Sequence, residues 1–252
     1  MLKKRLIAVL ILRDGTVVQS VQFRHTNVVH YNPVTAVKFF NQWAADEIIV
    51  LDVSRDTRRR DKFYDTVMGL SRQCLVPLTV GGYVQSTDEL RKLLRLGADK
   101  VVINTQAVLQ PDLVTAMAEY AGSQCVVVSI DAQADDQGRP RVVIDRARRM
   151  TDLDPVEWAQ RVEALGAGEI LFNRVEHDGN RRGYDLELIG QIVRAVRVPV
   201  IAFGGMMEYQ HLADGVLVAG ADAVAAANQF HYKENSLIKA KKFLLQAGVD
   251  VR

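Results

Sequence analysis

Eight short apolar runs, rich in valine and isoleucine, punctuate the chain: Leu6 to Leu12, Ile48 to Val53, Val76 to Val80, Val101 to Asn104, Val126 to Asp131, Ile170 to Asn173, Val198 to Phe203 and Ala223 to Ala227. None shows the polar–apolar alternation of a half-exposed strand, so each predicts a strand covered on both faces, as parallel sheets require. Between them lie segments with helical spacing, such as Leu90, Leu93, Leu94 and Leu96, or Leu186, Ile189, Ile192 and Val193. Asn32-Pro33, Gln110-Pro111 and Asp154-Pro155 mark helix starts, where a proline's missing N–H would be unpaired anyway. Eight β/α units in succession predict a closed (β/α)8 TIM barrel rather than an open sheet. The 252 residues match the size of that fold, and no linker interrupts them, so residues 1–252 are read as one domain.

The pattern repeats itself. Gly81-Gly82 is followed by Gly97-Ala98-Asp99, and half a chain later Gly204-Gly205 is followed by Gly220-Ala221-Asp222 at the same spacing. Ala45-Asp46-Glu47-Ile48 pairs in nearly the same register with Ala167-Gly168-Glu169-Ile170. The economical reading is an internal half-barrel duplication. One segment stands outside it. Asp135-Asp136-Gln137-Gly138-Arg139-Pro140, then Val142-Val143-Ile144 and Arg146, Arg148 and Arg149, predict a hairpin inserted after the fifth strand, on the face that carries active sites in this fold.

Composition narrows the function only by exclusion. A formal charge of +2 gives no basic surface that would recruit nucleic acid. Cys74 and Cys125 have no metal-ligand spacing and are expected to be small buried hydrophobes in a reducing compartment, with no metal and no cofactor implied. No run reaches the ~18 apolar residues of a membrane span, and the basic start lacks a cleavage-like site, so the expectation is a cytoplasmic protein without a membrane partner.

Strand C-termini bring a particular set of residues to the top face: Asp52, Gly81-Gly82, Asn104-Thr105, Asp131, Gly204-Gly205 and Ala227-Asn228. Paired glycines there let a phosphate approach backbone N–H groups, or they simply permit tight turns. Asp131, fixed at the end of the strongest strand, is a general acid or base, or else a cap that orders a loop. Asp52 divides evenly between the same readings. At the opposite strand ends stand Arg5, Glu47, Lys100 and Glu169. They either close into a salt-bridged ring across the axis or are scattered surface charges, and spacing alone favours the scatter.

Several segments together carry a family resemblance: Arg5-Leu6-Ile7-Ala8, Thr79-Val80-Gly81-Gly82, Gly97-Ala98-Asp99-Lys100-Val101, Ile103-Asn104-Thr105, Gly166-Ala167-Gly168-Glu169-Ile170-Leu171, Asp178-Gly179, Gly183-Tyr184-Asp185 and Phe230-His231. Over nearly the whole chain it resembles the cyclase subunits of imidazole glycerol phosphate synthases. That resemblance implies ammonia delivered by a glutaminase subunit docked at the barrel's bottom, joined at the top to a bisphosphorylated ribulose-type substrate by two carboxylates. It makes Asp131 the fifth-strand carboxylate and reverses the reading of the four charges: Arg5, Glu47, Lys100 and Glu169 match the family's ammonia gate, and Asp99 matches a glutaminase contact.

Departures are confined to the top. The first-strand carboxylate is replaced by Ile11, a lysine after Val17-Val18 by Gln19, and small residues of the phosphate sites by Tyr83, Phe203 and Met206-Met207. Isoleucine transfers no proton, so stand-alone cyclase activity is not expected. A kept ammonia path with an altered acceptor site resembles more closely the family's glycosyl-amidation branch, which works beside a glutaminase and an ATP-dependent N-acetyl-sugar amidotransferase. The resulting expectation is a barrel that receives or channels ammonia for amidation of an N-acetylated sugar in surface-polysaccharide biosynthesis. The alternatives are a true cyclase subunit of histidine biosynthesis and a scaffold that only activates the glutaminase.

Overall fold

A computed structural model of the chain describes residues 3–54, 56, 60–232 and 234–252. Its strands are β1 (Arg5–Arg13), β2 (Thr16–Val21), β3 (His25–His30), β4 (Glu47–Asp52), β5 (Leu78–Gly81), β6 (Lys100–Ile103), β7 (Val126–Ala134), β8 (Pro140–Ile144), β9 (Arg149–Met150), β10 (Glu169–Arg174), β11 (Val200–Phe203) and β12 (Ala223–Ala226). Eight of these, β1, β4, β5, β6, β7, β10, β11 and β12, pair in parallel in that order, and β12 returns to β1. The sheet is a closed (β/α)8 barrel, and its eight strands are the eight apolar runs.

Around it lie α1 (Pro33–Gln42), α2 (Arg60–Ser71), α3 (Thr87–Arg95), α4 (Thr105–Leu109), α5 (Asp112–Ala121), α6 (Pro155–Ala164), α7 (Leu186–Ala195), α8 (Tyr209–Leu217), α9 (Asn228–His231) and α10 (Ser236–Gln246). Asn32 and Asp154 cap α1 and α6 with their side chains ahead of a first-turn proline, as the sequence predicts. At Gln110-Pro111 the start moves one residue on, because Pro111 takes the cap position itself. Among the described residues, no helix is long and apolar enough to cross a membrane.

Two antiparallel hairpins grow from the barrel's upper rim. The predicted one pairs the end of β7 with β8 and then β9. The other, β2–β3, is continuous with β1 and was not foreseen, since β3 is mostly exposed and carries no apolar run. β2 stops at Val21, and Gln22 and Phe23 turn with φ of +50° and +59°. Cys74 and Cys125 are half-buried rather than fully buried.

The Gly-Ala-Asp repeat has a mechanical purpose at the barrel's lower rim. Asp46, Asp99 and Asp222 each donate a backbone N–H to the carbonyl of a residue at the start of a neighbouring strand, Leu6, Leu78 and Val200, at 3.1, 2.8 and 2.9 Å. Each carboxylate then accepts that residue's own N–H, at 2.7, 2.8 and 3.1 Å. Both backbone groups at the strand start are thus satisfied by one aspartate. At the fourth equivalent place, Gly168 keeps the backbone bond to Val126 at 2.9 Å but has no side chain, because a Cβ there would run into the Ser123 carbonyl.

These clamps also correct the register of the duplication. Since Asp99 holds Leu78 and Asp222 holds Val200, Leu78 and Val200 are structural equivalents, and counting up both strands sets Gly81 against Phe203 and Gly82 against Gly204. The two glycine pairs that match in sequence are therefore one residue out of step in space. Inward-facing Ile7, Val9, Ile49, Val127, Leu171 and Ile201, at most 1% exposed, fill the barrel interior above its base. The larger outer core, including Phe172, Trp158 and Phe40, lies between sheet and helices.

Gly168→Ala is expected to lower stability by about 3 kcal/mol, an overpacking cost against backbone. Gly69→Ala, inside α2 with Val34 at an ordinary 3.7 Å from the new methyl, should raise it by about 0.5–1 kcal/mol. Urea denaturation of both variants checks the contrast.

Candidate functional site

At the barrel's base, Arg5, Glu47, Lys100 and Glu169 form a closed ring. Arg5 reaches Glu47 at 2.7 Å with one guanidinium nitrogen and bonds Glu169 with the other. Lys100 Nζ completes the circuit, 3.2 Å from Glu47 and 2.9 Å from Glu169. Arg5 and both glutamates are buried. Burial works against the Arg5 charge, but Glu169 and Glu47 outweigh it, and the net effect holds the guanidinium above its ordinary value. The scattered-charge reading that spacing favours is therefore wrong. The four residues converge because each is the inward-facing position at or near the start of its strand. Asp99, at the same end, is exposed, and its carboxylate is engaged by Leu78.

At the other end lies a cavity of about 400 Å³, lined by Ile11, Asp52, Gly81, Gly82, Asn104, Thr105 and Asp131 among others. Asp131 is its chemical centre. Asn104 donates to one carboxylate oxygen at 2.7 Å and Asn173 to the other at 3.0 Å. Burial raises Asp131 from its ordinary range to about 6, and the two amide hydrogen bonds only partly offset that. A carboxyl poised near neutrality suits general acid–base work. Ile11 is 4% exposed and presents only hydrocarbon to this cavity. Asp52 turns its carboxylate to the Ser54 N–H at 2.7 Å and is also shifted upward by burial.

A second carboxyl escaped the residue-by-residue reading. Asp178, on the loop after β10, is buried, bonds the Ser20 hydroxyl at 2.8 Å, and is raised to about 6, chiefly by burial and partly by the nearby Asp131 charge. The Asp178-Gly179 pair and its place just beyond the sixth barrel strand were the available signal. Arg13, at the end of β1, and Arg24, in the turn of the unforeseen β2–β3 hairpin, also line the cavity.

The glycine pairs are fixed first by packing. Gly82 at φ +129° leaves no room for a Cβ beside Asp52, and a Cβ on Gly204 at φ +86° would strike the Asn173 amide. Gly204, Gly205, Ala227 and Asn228 border a separate recess of about 80 Å³. Phe203, only 6% exposed, stands on the wall of both spaces. Tyr83 does not plug the first pair: its ring leans edge-on against Phe63 with centroids 5.8 Å apart, and its hydroxyl donates to Asp56 O at 3.3 Å.

A family model described as histidine biosynthesis protein matches residues 5–236. The chain belongs to that family. It is also similar to the imidazole glycerol phosphate synthase subunit HisF of Geobacillus thermodenitrificans, with 43% identity over 253 residues that cover the whole of both chains. Both comparisons point to the histidine-pathway branch of the resemblance, and neither supports the glycosyl-amidation branch or a sugar amidotransferase partner. Within the family's frame, the ring and Asp131 lie at opposite ends of one packed barrel.

Because the native carboxyl of Asp131 sits above its unfolded value, holding the charge costs stability once pH exceeds both values. Asp131→Asn should therefore unfold at the same temperature as the parent near pH 3.5. It should gain between about pH 4 and 6, and stay more stable by about 3 kcal/mol at pH 8. Calorimetry across that range tests the sign.

Proposed function

We propose that this barrel is the ammonia-accepting subunit of a glutamine-dependent complex of the imidazole glycerol phosphate synthase type. The observation that carries the reading is the buried Arg5–Glu47–Lys100–Glu169 ring at the end of the barrel opposite the Asp131 cavity. Three buried charges and a half-buried fourth are a costly way to hold strands together, since apolar side chains of the same size would do so equally well. A ring of this kind is retained for what it admits. In this reading a glutaminase docks at the lower rim around Asp99, ammonia passes the ring, and it meets a phosphorylated acceptor in the upper cavity.

At the upper end the roles follow from chemistry. Asp131, held between Asn104 and Asn173, takes or returns a proton during attack on the acceptor carbon. The glycine pairs, Asn104-Thr105 and Ala227-Asn228 receive the acceptor's anionic ends. No metal or cofactor is required by this scheme.

The comparisons favour the histidine-biosynthesis reading, and the acceptor adopted with it is the bisphosphorylated ribulose-type compound that the family resemblance implies. One observation weighs against it: Ile11 stands on the cavity wall where the resemblance implies a proton-transfer group, while the ring is intact, and this keeps amidation of an N-acetylated sugar as the second reading. Complementation of a cyclase-deficient strain separates the two. Growth supports the histidine-pathway acceptor, and failure to grow with a correctly folded, glutaminase-binding protein transfers the assignment to another acceptor.

Mixing the barrel with its glutaminase should raise glutamine hydrolysis and give a coeluting complex, and Asp99→Lys should weaken that complex. Lys100→Ala should depress glutamine-driven turnover while leaving turnover with added ammonium salt near the parent's level. Equal loss from both nitrogen sources would place the lysine's role outside the ammonia path.

A further inference from the structure

The tip of the β8–β9 hairpin is bent in an unusual way. Asp145, Arg146 and Ala147 have φ of +51°, +59° and +59°, three successive left-handed residues of which none is glycine. Such a run persists only when surrounding contacts over-determine it. Those contacts lie on the cavity rim. The Asp145 N–H donates to the Thr105 hydroxyl at 3.0 Å, and one Arg146 guanidinium nitrogen donates to the Ser54 carbonyl at 3.1 Å. The other terminal nitrogen meets the Asp145 carboxylate at 3.2 Å.

The consequence is a guanidinium laid against the same cavity that holds Gly81, Gly82, Asn104 and Thr105. Its Nε is buried and, among the described residues, has no hydrogen-bond partner. An arginine carries five donors in a planar fork, and a buried donor left unpaired is unfavourable. That Nε is enclosed by protein, but the side chain as a whole is 31% exposed, and its positive charge is what it offers an anion in the cavity. The carboxylates that share the cavity wall are otherwise engaged: Asp52 by Ser54, Asp131 by Asn104 and Asn173, Asp145 by Arg146 itself.

We propose that Arg146 supplies positive charge to a phosphate monoester of the acceptor bound in the cavity it shares with the Gly81-Gly82 turn, and that the strained hairpin tip exists to place it there. The inference rests on the reading of the upper cavity as the acceptor site. It adds a specificity-determining residue supplied by the insertion rather than by the duplicated barrel. The neighbouring Arg13, Arg24 and Arg148 make the cavity mouth attractive to anions, but Arg146 is the one latched to both Ser54 and, through Asp145, Thr105.

The test uses the whole barrel and ribose 5-phosphate as the probe, followed by isothermal titration calorimetry with thermal unfolding as the folding control. Arg146→Ala should weaken binding about tenfold or more, the loss expected for a charge-assisted hydrogen bond. Arg146→Lys should recover part of it, since a lysine keeps the charge and loses the fork, and it serves alone if the alanine variant does not fold. Arg149→Ala, exposed on β9 and outside the cavity lining, should bind as the parent does. Parent-like binding by a folded Arg146→Ala or Arg146→Lys overturns the assignment of Arg146 and leaves the cavity intact. Absence of binding by the parent at millimolar probe overturns the acceptor site and Arg146 together.

Discussion

Two carboxylates buried at the base of a barrel are tolerable only in company. Glu47 and Glu169 start strands on opposite sides of the sheet, and each is held by both Arg5 and Lys100. Removing any one member leaves an uncompensated charge in a place water reaches poorly, a loss of order 3–5 kcal/mol for a buried pair. The strand starts around the ring are correspondingly well fixed. Aspartates clamp three of them, and the interior above is close-packed aliphatic side chain. A rigid base with an apolar interior lets the upper rim carry strained and irregular loops without loss of the barrel.

The upper rim shows how burial prepares chemistry. Asp131 and Asp178 are both lifted toward neutrality, each by desolvation first, and the Asp131 charge adds to the rise of Asp178. The first strand presents Ile11 and Arg13 to this cavity and no carboxyl, and the two carboxyls raised to about 6 lie on the side of β7 and β10. The Asn173 amide joins the two strands across that gap: it donates to Asp131 and stands where a side chain on Gly204 would have to go.

Much of the fold was legible because parallel barrel strands announce themselves as uninterrupted apolar runs, and all eight did. The β2–β3 hairpin was not, because an exposed strand such as His25–His30 has no hydrophobic face to display. Of the site, Asp131 and the four ring residues could be placed by strand position, although only family resemblance made the ring more than a scatter of charges. Arg146 was visible merely as one of several basic residues in an insertion. Its role depends on three left-handed backbone angles and two latches, and neither leaves a trace in composition or periodicity. Asp99 looked like surface and is surface, yet it also ties down a strand, a double duty that only hydrogen bonds reveal.

The one-residue slip between the halves sets a phenyl ring, Phe203, at the height where the other half has the hydrogen of Gly81. A barrel doubled from one half would otherwise offer a symmetric ligand two interchangeable berths. Here one berth opens into the main cavity and the other is a small alcove behind an aromatic wall. The two ends of this face are therefore unlike in size and lining, and a molecule spanning them would meet a different wall at each end.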